Sequence, residues 1–412
     1  MPTNGILFTI ASIVLFGQLA QWIFRKTGVP DILLFLVVGF ILGPSIANLA
    51  NPAELTPFAP VFTTFTLLFI MFNGALCIDV RSFIRELGSG TGLSLLNYFL
   101  AAALSIGLFL LCGFQMQIAI FLGVALGGIS SSFVIPILAE LRNQEGVPPR
   151  YECMLTLESA FTDVLVIVAS LTVMEVSESV FSIQSVLSQV VRLFAVAGVF
   201  GIAGGFFWIF LEKHVIERDM YYMMTIAYVV SVYLITEYFD GNGAIAVMFM
   251  GIVMANSTTI LPIARAFKSL RRSSKSEKTE ADQIVSTREK MFYDEISTFL
   301  KTFFFVYIGL QLRVDKPSVL LIASALAILF LIARHAGILF TREGTRTDRI
   351  LVYAMSARGL APAAVVLLAR ERGFITESFA SDIVYWTIAT TIVASSIMVI
   401  VYKRSRKKLT AA

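Results

Sequence analysis

The sequence predicts an all-α polytopic membrane protein of about 13 transmembrane helices. Three observations carry that expectation. Of 412 residues, 57% are hydrophobic and 15% are charged, with a mean hydropathy of +0.82, whereas a soluble domain carries charge on about a quarter of its positions. The apolar residues gather in runs near the length of about 20 residues that crosses a hydrocarbon core as helix. The Lys and Arg residues, finally, alternate between successive loops. Membrane insertion accounts for all three, while a large soluble core accounts for neither the charge deficit nor the run lengths.

The candidate segments are 5–24, 32–50, 60–78, 92–113, 117–141, 152–174, 186–211, 221–238, 243–261, 295–312, 317–340, 350–369 and 382–402. Arg25 and Lys26 follow the first of them, which has no small-residue cleavage pattern, so it reads as a spanning helix and not as a signal peptide. Loops after odd-numbered segments hold 25 Lys and Arg residues, with Arg334, at the end of the eleventh segment, grouped with the loop that follows it. Loops after even-numbered segments hold only Arg313, Lys316, Arg370 and Arg372, and the N-terminal tail holds none. Cytoplasmic loops keep the positive charge. The expectation is therefore an outer N-terminus and a cytoplasmic C-terminus in a plasma or inner membrane. Arg192, Lys301 and Arg358 remain, in or beside segments.

An odd count suits two inverted six-helix halves, repeat one at about 1–175 and repeat two at about 221–402, joined by a linking helix at about 186–211. LFIMFNGALCIDV (68–80) is similar to FFFVYIGLQLRVD (303–315), each with a glycine-containing turn beside a charge. The fifth segment carries GGISSSFVIP (127–136) and the twelfth SARGLAP (356–362), both small, polar interruptions of an apolar run. Interruptions at corresponding positions of two halves predict a pair of broken helices near the midplane. The stretch 265–294 reads as a solvated cytoplasmic linker, and KRSRKK (403–408) as a positive-inside anchor.

Cys77, Cys112 and Cys153 lack metal-ligand spacing and read as packing residues. His214 and His335 stand near segment ends, which speaks against a membrane metal-hydrolase; no enzyme activity, no cofactor and no nucleic-acid partner are expected. Function is instead sought in buried charge, because an ionisable side chain at the centre of a spanning helix costs about 2.5–3.5 kcal/mol. The sixth segment holds two in LESAFTDVLVIV (157–168), Glu158 and Asp163. Five residues apart, they are rotated by about 140°, which argues against a proton-sharing pair. Arg358 cannot shed its proton and demands a carboxylate or a cage of carbonyls, so Glu158 and Arg358 are paired as a core ion pair. Asp163 is left without an obligatory partner, able to hold either a proton or a monovalent cation. Ser159 and Thr162 beside it, Ser130, Ser131 and Ser132 in the fifth segment, and carbonyls freed by unwinding complete an oxygen site for a hard monovalent cation. Lys301, near the start of the tenth segment, is a further charge that needs a reason.

At these residues the chain resembles the monovalent cation:proton antiporter superfamily, over nearly its whole length. The most specific piece is E-S-x-x-T-D at Glu158, Ser159, Thr162 and Asp163, where the exchanger-like branch typically has E-S-x-x-N-D and the electrogenic branch two adjacent aspartates. The resemblance implies a thirteen-helix fold with a six-helix core, crossed and unwound helices at segments 5 and 12, a dimerisation domain, an elevator motion, a homodimer, and exchange of Na⁺, with Li⁺ and K⁺ as alternatives, for H⁺. It also implies that Asp163 is the ion- and proton-carrying aspartate and that Glu158 with Arg358 is the branch's core pair. The electrogenic branch carries a lysine in its tenth helix, so by resemblance Lys301 stands as a modulator, either close to Asp163 or snorkelling to an interface. Thr162 and a fifth segment without a Thr-Asp pair depart from the pattern, and the serine run looks more like potassium-efflux-type relatives. Two rivals stay open. A sodium-coupled organic anion carrier would need Lys301 as its anion contact, and a channel would need a polar stripe along several helices.

Overall fold

The computed structural model describes residues 29–50, 59–76, 80–176, 183–214, 221–257, 287–337, 345–376 and 378–410, with scattered positions between 15 and 26. Most of the first segment, most of the linker 265–294, and Cys77 lie outside the described residues. The described residues form helices and no strand: α1 (Asp31–Leu42), α2 (Ala59–Ala75), α3 (Val80–Leu111), α4 (Met116–Leu126), α5 (Ser131–Glu145), α6 (Pro149–Val176), α7 (Ile183–His214), α8 (Tyr221–Tyr238), α9 (Gly243–Ala255), α10 (Thr287–Gln311), α11 (Pro317–Arg334), α12 (Arg346–Ala354), α13 (Leu360–Glu371) and α14 (Ser378–Thr410).

Among the described residues, 6 helical stretches are long and apolar enough to cross a membrane, and Asp31–Leu42, Val61–Ala75, Met223–Tyr238 and Gly243–Ala255 are shorter apolar helices. These match ten of the expected segments without fixing a total of thirteen. The tenth segment starts earlier than expected, because Thr287 to Asp294, read as linker, are the first turns of α10.

The fifth and twelfth segments are broken, as expected. α4 ends at Leu126 and α5 begins at Ser131; α12 ends at Ala354 and α13 begins at Leu360. At about 1.5 Å per residue, α4 and α5 rise about 16 and 22 Å, each well short of a hydrocarbon core of about 30 Å. Their junction therefore falls deep in the apolar layer. The local cause is compositional. At Gly127 and Gly128 an added Cβ would strike the Tyr98 ring and the Thr162 carbonyl, so glycine lets the break lie close against α3 and α6, and the carbonyl of Ser132 lacks its α-helical donor because Pro136 has no N–H. Pro362 sits in the first turn of α13, where a missing N–H costs no helical bond. α12 begins at a capping box in which Thr345 and Asp348 exchange side-chain and backbone bonds.

The chain divides into two compact units. One comprises Met1–Thr66, Glu86–Phe181 and Thr298–Ala412. In it α6 packs against α4, α5 and α13, and α14 packs against α1, α11, α12 and α13. Here Gly309 is not in a turn but in the last turns of α10; a Cβ on it would meet the Leu36 carbonyl, so its absence lets the backbones of α1 and α10 touch. The other unit comprises Leu67–Arg85 and Ser182–Ser297, built on α7, α8 and α9 in mutual contact. At Gly201 a Cβ would strike the backbone of Ala246, so α7 and α9 approach through a residue without a side chain.

Candidate functional site

The two interruptions meet. The Ser130 amide donates to the Ala357 carbonyl at 2.9 Å, joining the linker of the fifth segment to that of the twelfth. A Cβ on Gly359 would collide with the Ser130 hydroxyl and come within 2.7 Å of its Cβ, so the crossing requires glycine for close approach. Four helix ends converge there. The N-terminal poles of α5 and α13 carry partial positive charge, and the C-terminal poles of α4 and α12 partial negative charge.

Asp163 lies on α6 against the positive pole of α5. The Ser131 amide donates to its Oδ2 at 3.1 Å, and the Ser131 hydroxyl donates to the same oxygen. The side chain is buried, and Oδ1 has no hydrogen-bond partner among the described residues. A carboxylate with one oxygen held and the other open, at the pole of a half-helix, is able to take up a proton or a cation without dismantling its support.

The other candidate ligands are distributed around it. Thr162 Oγ1 accepts from the Ile129 amide at 3.0 Å and lies 3.2 Å from the Ser159 carbonyl, so this hydroxyl ties the unwound linker to α6. The Ser159 hydroxyl donates to the Thr156 carbonyl at 3.0 Å, which leaves its oxygen lone pairs facing no donor among the described residues. Ser130 and Ser132 bond each other at 2.7 Å. Ser130, Ser131, Ser132, Ser159, Thr162 and Asp163 are all buried.

The expected core pair is corrected. Glu158 binds Arg334 and not Arg358. Arg334 Nη2 donates to Glu158 Oε2 at 2.8 Å, Nη1 donates to Oε1, and Nε donates to the Val352 carbonyl at 2.8 Å. Asn97 Nδ2 adds a bond to Glu158 Oε1 at 2.7 Å. Both charged side chains are 1% exposed. The bidentate fork suits the pair in a dry environment, where either charge alone is costly. Arg358 is instead held by its backbone, its amide donating to Thr391 Oγ1 at 3.1 Å. Its guanidinium lies over Phe330 at 4.0 Å, with Nε and Nη1 unpartnered among the described residues. The physical reason is that Arg334, in the last turn of α11, is free to extend to α6, whereas Arg358 is fixed within the break.

Lys301 is likewise corrected on both readings: it neither approaches Asp163 nor reaches an interface. Its Nζ binds Asp31 Oδ2 at 2.7 Å, with side chains 5% and 4% exposed. Asp31 opens α1 and also accepts from the Ile32 amide at 2.9 Å. Sequence reasoning missed Arg334, Asn97 and Asp31. Arg334 had a signal, since it lies inside the apolar run 317–340. Asp31 follows Pro30 in what reads as an ordinary helix start, and Asn97 is a neutral residue with no pattern around it.

A family model described as "Sodium/hydrogen exchanger, transmembrane" matches residues 10–403. A protein of Methanocaldococcus jannaschii named "Probable Na(+)/H(+) antiporter 2" is 24% identical over 97% of this chain and 94% of its own length. The "Na(+)/H(+) antiporter NhaS4" of Synechocystis sp. is 23% identical over 98% of this chain and 99% of its own. The "K(+)/H(+) antiporter NhaP" of Alkalimonas amylolytica is 25% identical over 62% of this chain and 44% of its own. Among solved structures, the sodium proton antiporter MjNhaP1 of M. jannaschii, determined at pH 8, superposes with a TM-score of 0.74 at 18% identity, over 97% of this chain and 100% of that one. At that identity the superposition speaks for the fold alone.

Proposed function

The chain belongs to the sodium/hydrogen exchanger family of transmembrane proteins, and from that premise we propose that it exchanges Na⁺ for H⁺ one for one, with Asp163 as the group the two ions contest. The coarser statement stands on the family: this is a multi-pass membrane transporter of the cation:proton antiport class, not an enzyme. The observation that carries the finer one is the asymmetry of Asp163, with Oδ2 held by Ser131 and Oδ1 open. The cargo cation is taken by Oδ1, the Ser159 hydroxyl, and carbonyls at the breaks. Ser130 and Ser132 shape the pocket wall, and Thr162 acts on the site through the linker.

Stoichiometry follows from charge at the crossing. Glu158 and ionised Asp163 balance Arg334 and Arg358. Occupation by H⁺ or by Na⁺ leaves the same single excess positive charge. A cycle that carries one loaded form inward and the other outward moves no net charge, so exchange is electroneutral.

The same reading includes an elevator movement, a homodimer, an outer N-terminus and a cytoplasmic C-terminus. Its support is the family and the odd–even division of Lys and Arg. The two inverted halves, with the linking helix between them, are supported by one broken helix at the corresponding place in each.

K⁺ is the second reading of the cargo. It is favoured by the relative named as a K⁺/H⁺ antiporter and by an all-hydroxyl set of neutral side-chain ligands. Proteoliposomes with an imposed pH gradient and a clamped membrane potential decide both points. Na⁺ is expected to collapse the gradient at a rate independent of potential, ahead of Li⁺ and K⁺, and Asp163→Asn is expected to be inert. Robust exchange by Asp163→Asn removes the carrier assignment.

A further inference from the structure

The basic run 403–408 does more than place charge beyond the last span. α14 continues as helix through it to Thr410. Lys403 Nζ donates to Gln144 Oε1 at 2.8 Å, and Arg406 Nη2 donates to the Glu145 and Gly146 carbonyls, each at 2.9 Å. Those carbonyls end α5, which Gly146 terminates at φ 65. The last four carbonyls of a helix have no donor within it, and its C-terminal pole attracts a cation. Arg406 therefore supplies both hydrogen bonds and charge where α5 most needs them.

The opposite pole of α5 is Ser131, the residue that holds Asp163. Between the poles Pro136 interrupts the ladder, so α5 is poorly braced by its own backbone. α14 reaches the other break as well, since Thr391 accepts from the Arg358 amide at 3.1 Å and Ser395 lies 3.1 Å from Ser356, hydroxyl to hydroxyl. One long helix thus touches the linker of the twelfth segment at its middle and the far end of the fifth at its C-terminus.

We propose that Arg406 is a positioning residue for the cation site: by pinning the C-terminal pole of α5 to α14, it fixes where the N-terminal pole presents Ser131 to Asp163. The proposal rests on Asp163 being the transport site, but its first consequence, a tethered α5, is measurable without transport.

Arg406→Gln, Arg406→Lys and Arg404→Gln are compared in full-length protein, the last because Arg404 is exposed on the same helix. In Arg406→Gln the Na⁺ concentration giving half-maximal collapse of the pH gradient is expected to rise about tenfold, with the maximal rate within about twofold of the parent. Hydrogen exchange of the amides of 131–145 is expected to quicken in the same variant. Arg406→Lys, which keeps the charge and one donor at a time, restores half-saturation to within about threefold, and Arg404→Gln behaves as the parent. An unchanged half-saturation in Arg406→Gln overturns the proposal even if α5 exchanges faster. So does a loss of thermal stability and maximal rate with half-saturation intact, the mark of a merely structural bond. If Arg406→Gln does not fold, Lys403→Gln carries the test, with an expected rise of about threefold and no rise as the refuting result. A parent protein that transports none of Na⁺, Li⁺ and K⁺ overturns the transport reading instead. The exchange data then judge the tether alone, which unchanged exchange of 131–145 in Arg406→Gln refutes.

Discussion

Arg334→Gln and Arg358→Gln are expected to differ sharply, although both remove one buried guanidinium next to the same carboxylate. Arg334 makes two bonds to Glu158 and one to the Val352 carbonyl. Its loss leaves Glu158, 1% exposed, with Asn97 as its remaining hydrogen-bond donor. Removing one partner of a buried pair costs about 3–5 kcal/mol, because the remaining charge stays desolvated. Gln is long enough to retrieve one neutral bond, so the lower part of that range is expected. Arg358 has two unpartnered nitrogens and a stacking contact on Phe330. Losing a desolvated cation–π contact of about 2 kcal/mol is offset by relief of an unsatisfied buried charge, for a net change of about 1 kcal/mol. Thermal unfolding of the purified variants in detergent reads the difference. Glu158→Gln/Arg334→Gln completes a double-mutant cycle, with an expected coupling of about 2 kcal/mol or more. Equal losses for the two single arginine variants, or additivity in the cycle, would refute the pairing and return Glu158 to Arg358.

Other outcomes follow from the same geometry. Asp31→Asn and Lys301→Met should each destabilise by about 3–5 kcal/mol, and the double variant should recover most of that loss. All three should keep the parental Na⁺ half-saturation, and a shift confined to Lys301→Met would put Lys301 back at the ion site. Gly359→Val forces a side chain onto Ser130. Overpacking there costs about 1–3 kcal/mol and should abolish exchange, whereas Gly373→Ala, where nothing lies within 4 Å of the added Cβ but φ is 71, should lose stability alone. Competition at one carboxylate also fixes a sign with pH. As pH falls, protons displace Na⁺, and half-saturation rises about tenfold per pH unit once protonated Asp163 dominates. A half-saturation that stays flat from alkaline to acid pH, measured by gradient collapse, would contradict competition.

The membrane architecture was legible because it depends on composition summed over long windows. Runs of apolar residues and the partition of Lys and Arg need no knowledge of which helix touches which. The breaks at 127–130 and 355–359 were legible for a local reason, since Gly, Ser and Pro change the backbone wherever they stand. Asp163 stood out because burial of an acid is expensive in any arrangement. Pairing was not legible in the same way. Glu158 had two arginines within reach of a plausible helix packing. The one chosen from the sequence was mid-segment Arg358, while Arg334 was grouped with the basic residues of the following loop. Lys301 pointed to Asp163 through a resemblance, and its actual partner lies 270 positions away in the chain.

The sequence by itself determined that the chain lives in lipid, where its two helices must break, and that Asp163 is an acid set inside an apolar run. Each of these is set by the cost of placing a given residue in a given medium, a cost that every packing shares. Only the tertiary structure decided that Arg334 holds Glu158, that Asp31 holds Lys301, that the Thr162 hydroxyl binds the linker backbone, and that the C-terminal basic run grips the end of α5. Those contacts join residues distant in sequence through hydrogen bonds effective only near 3 Å. Their selection depends on how helices cross and rotate, which no periodicity along the chain encodes.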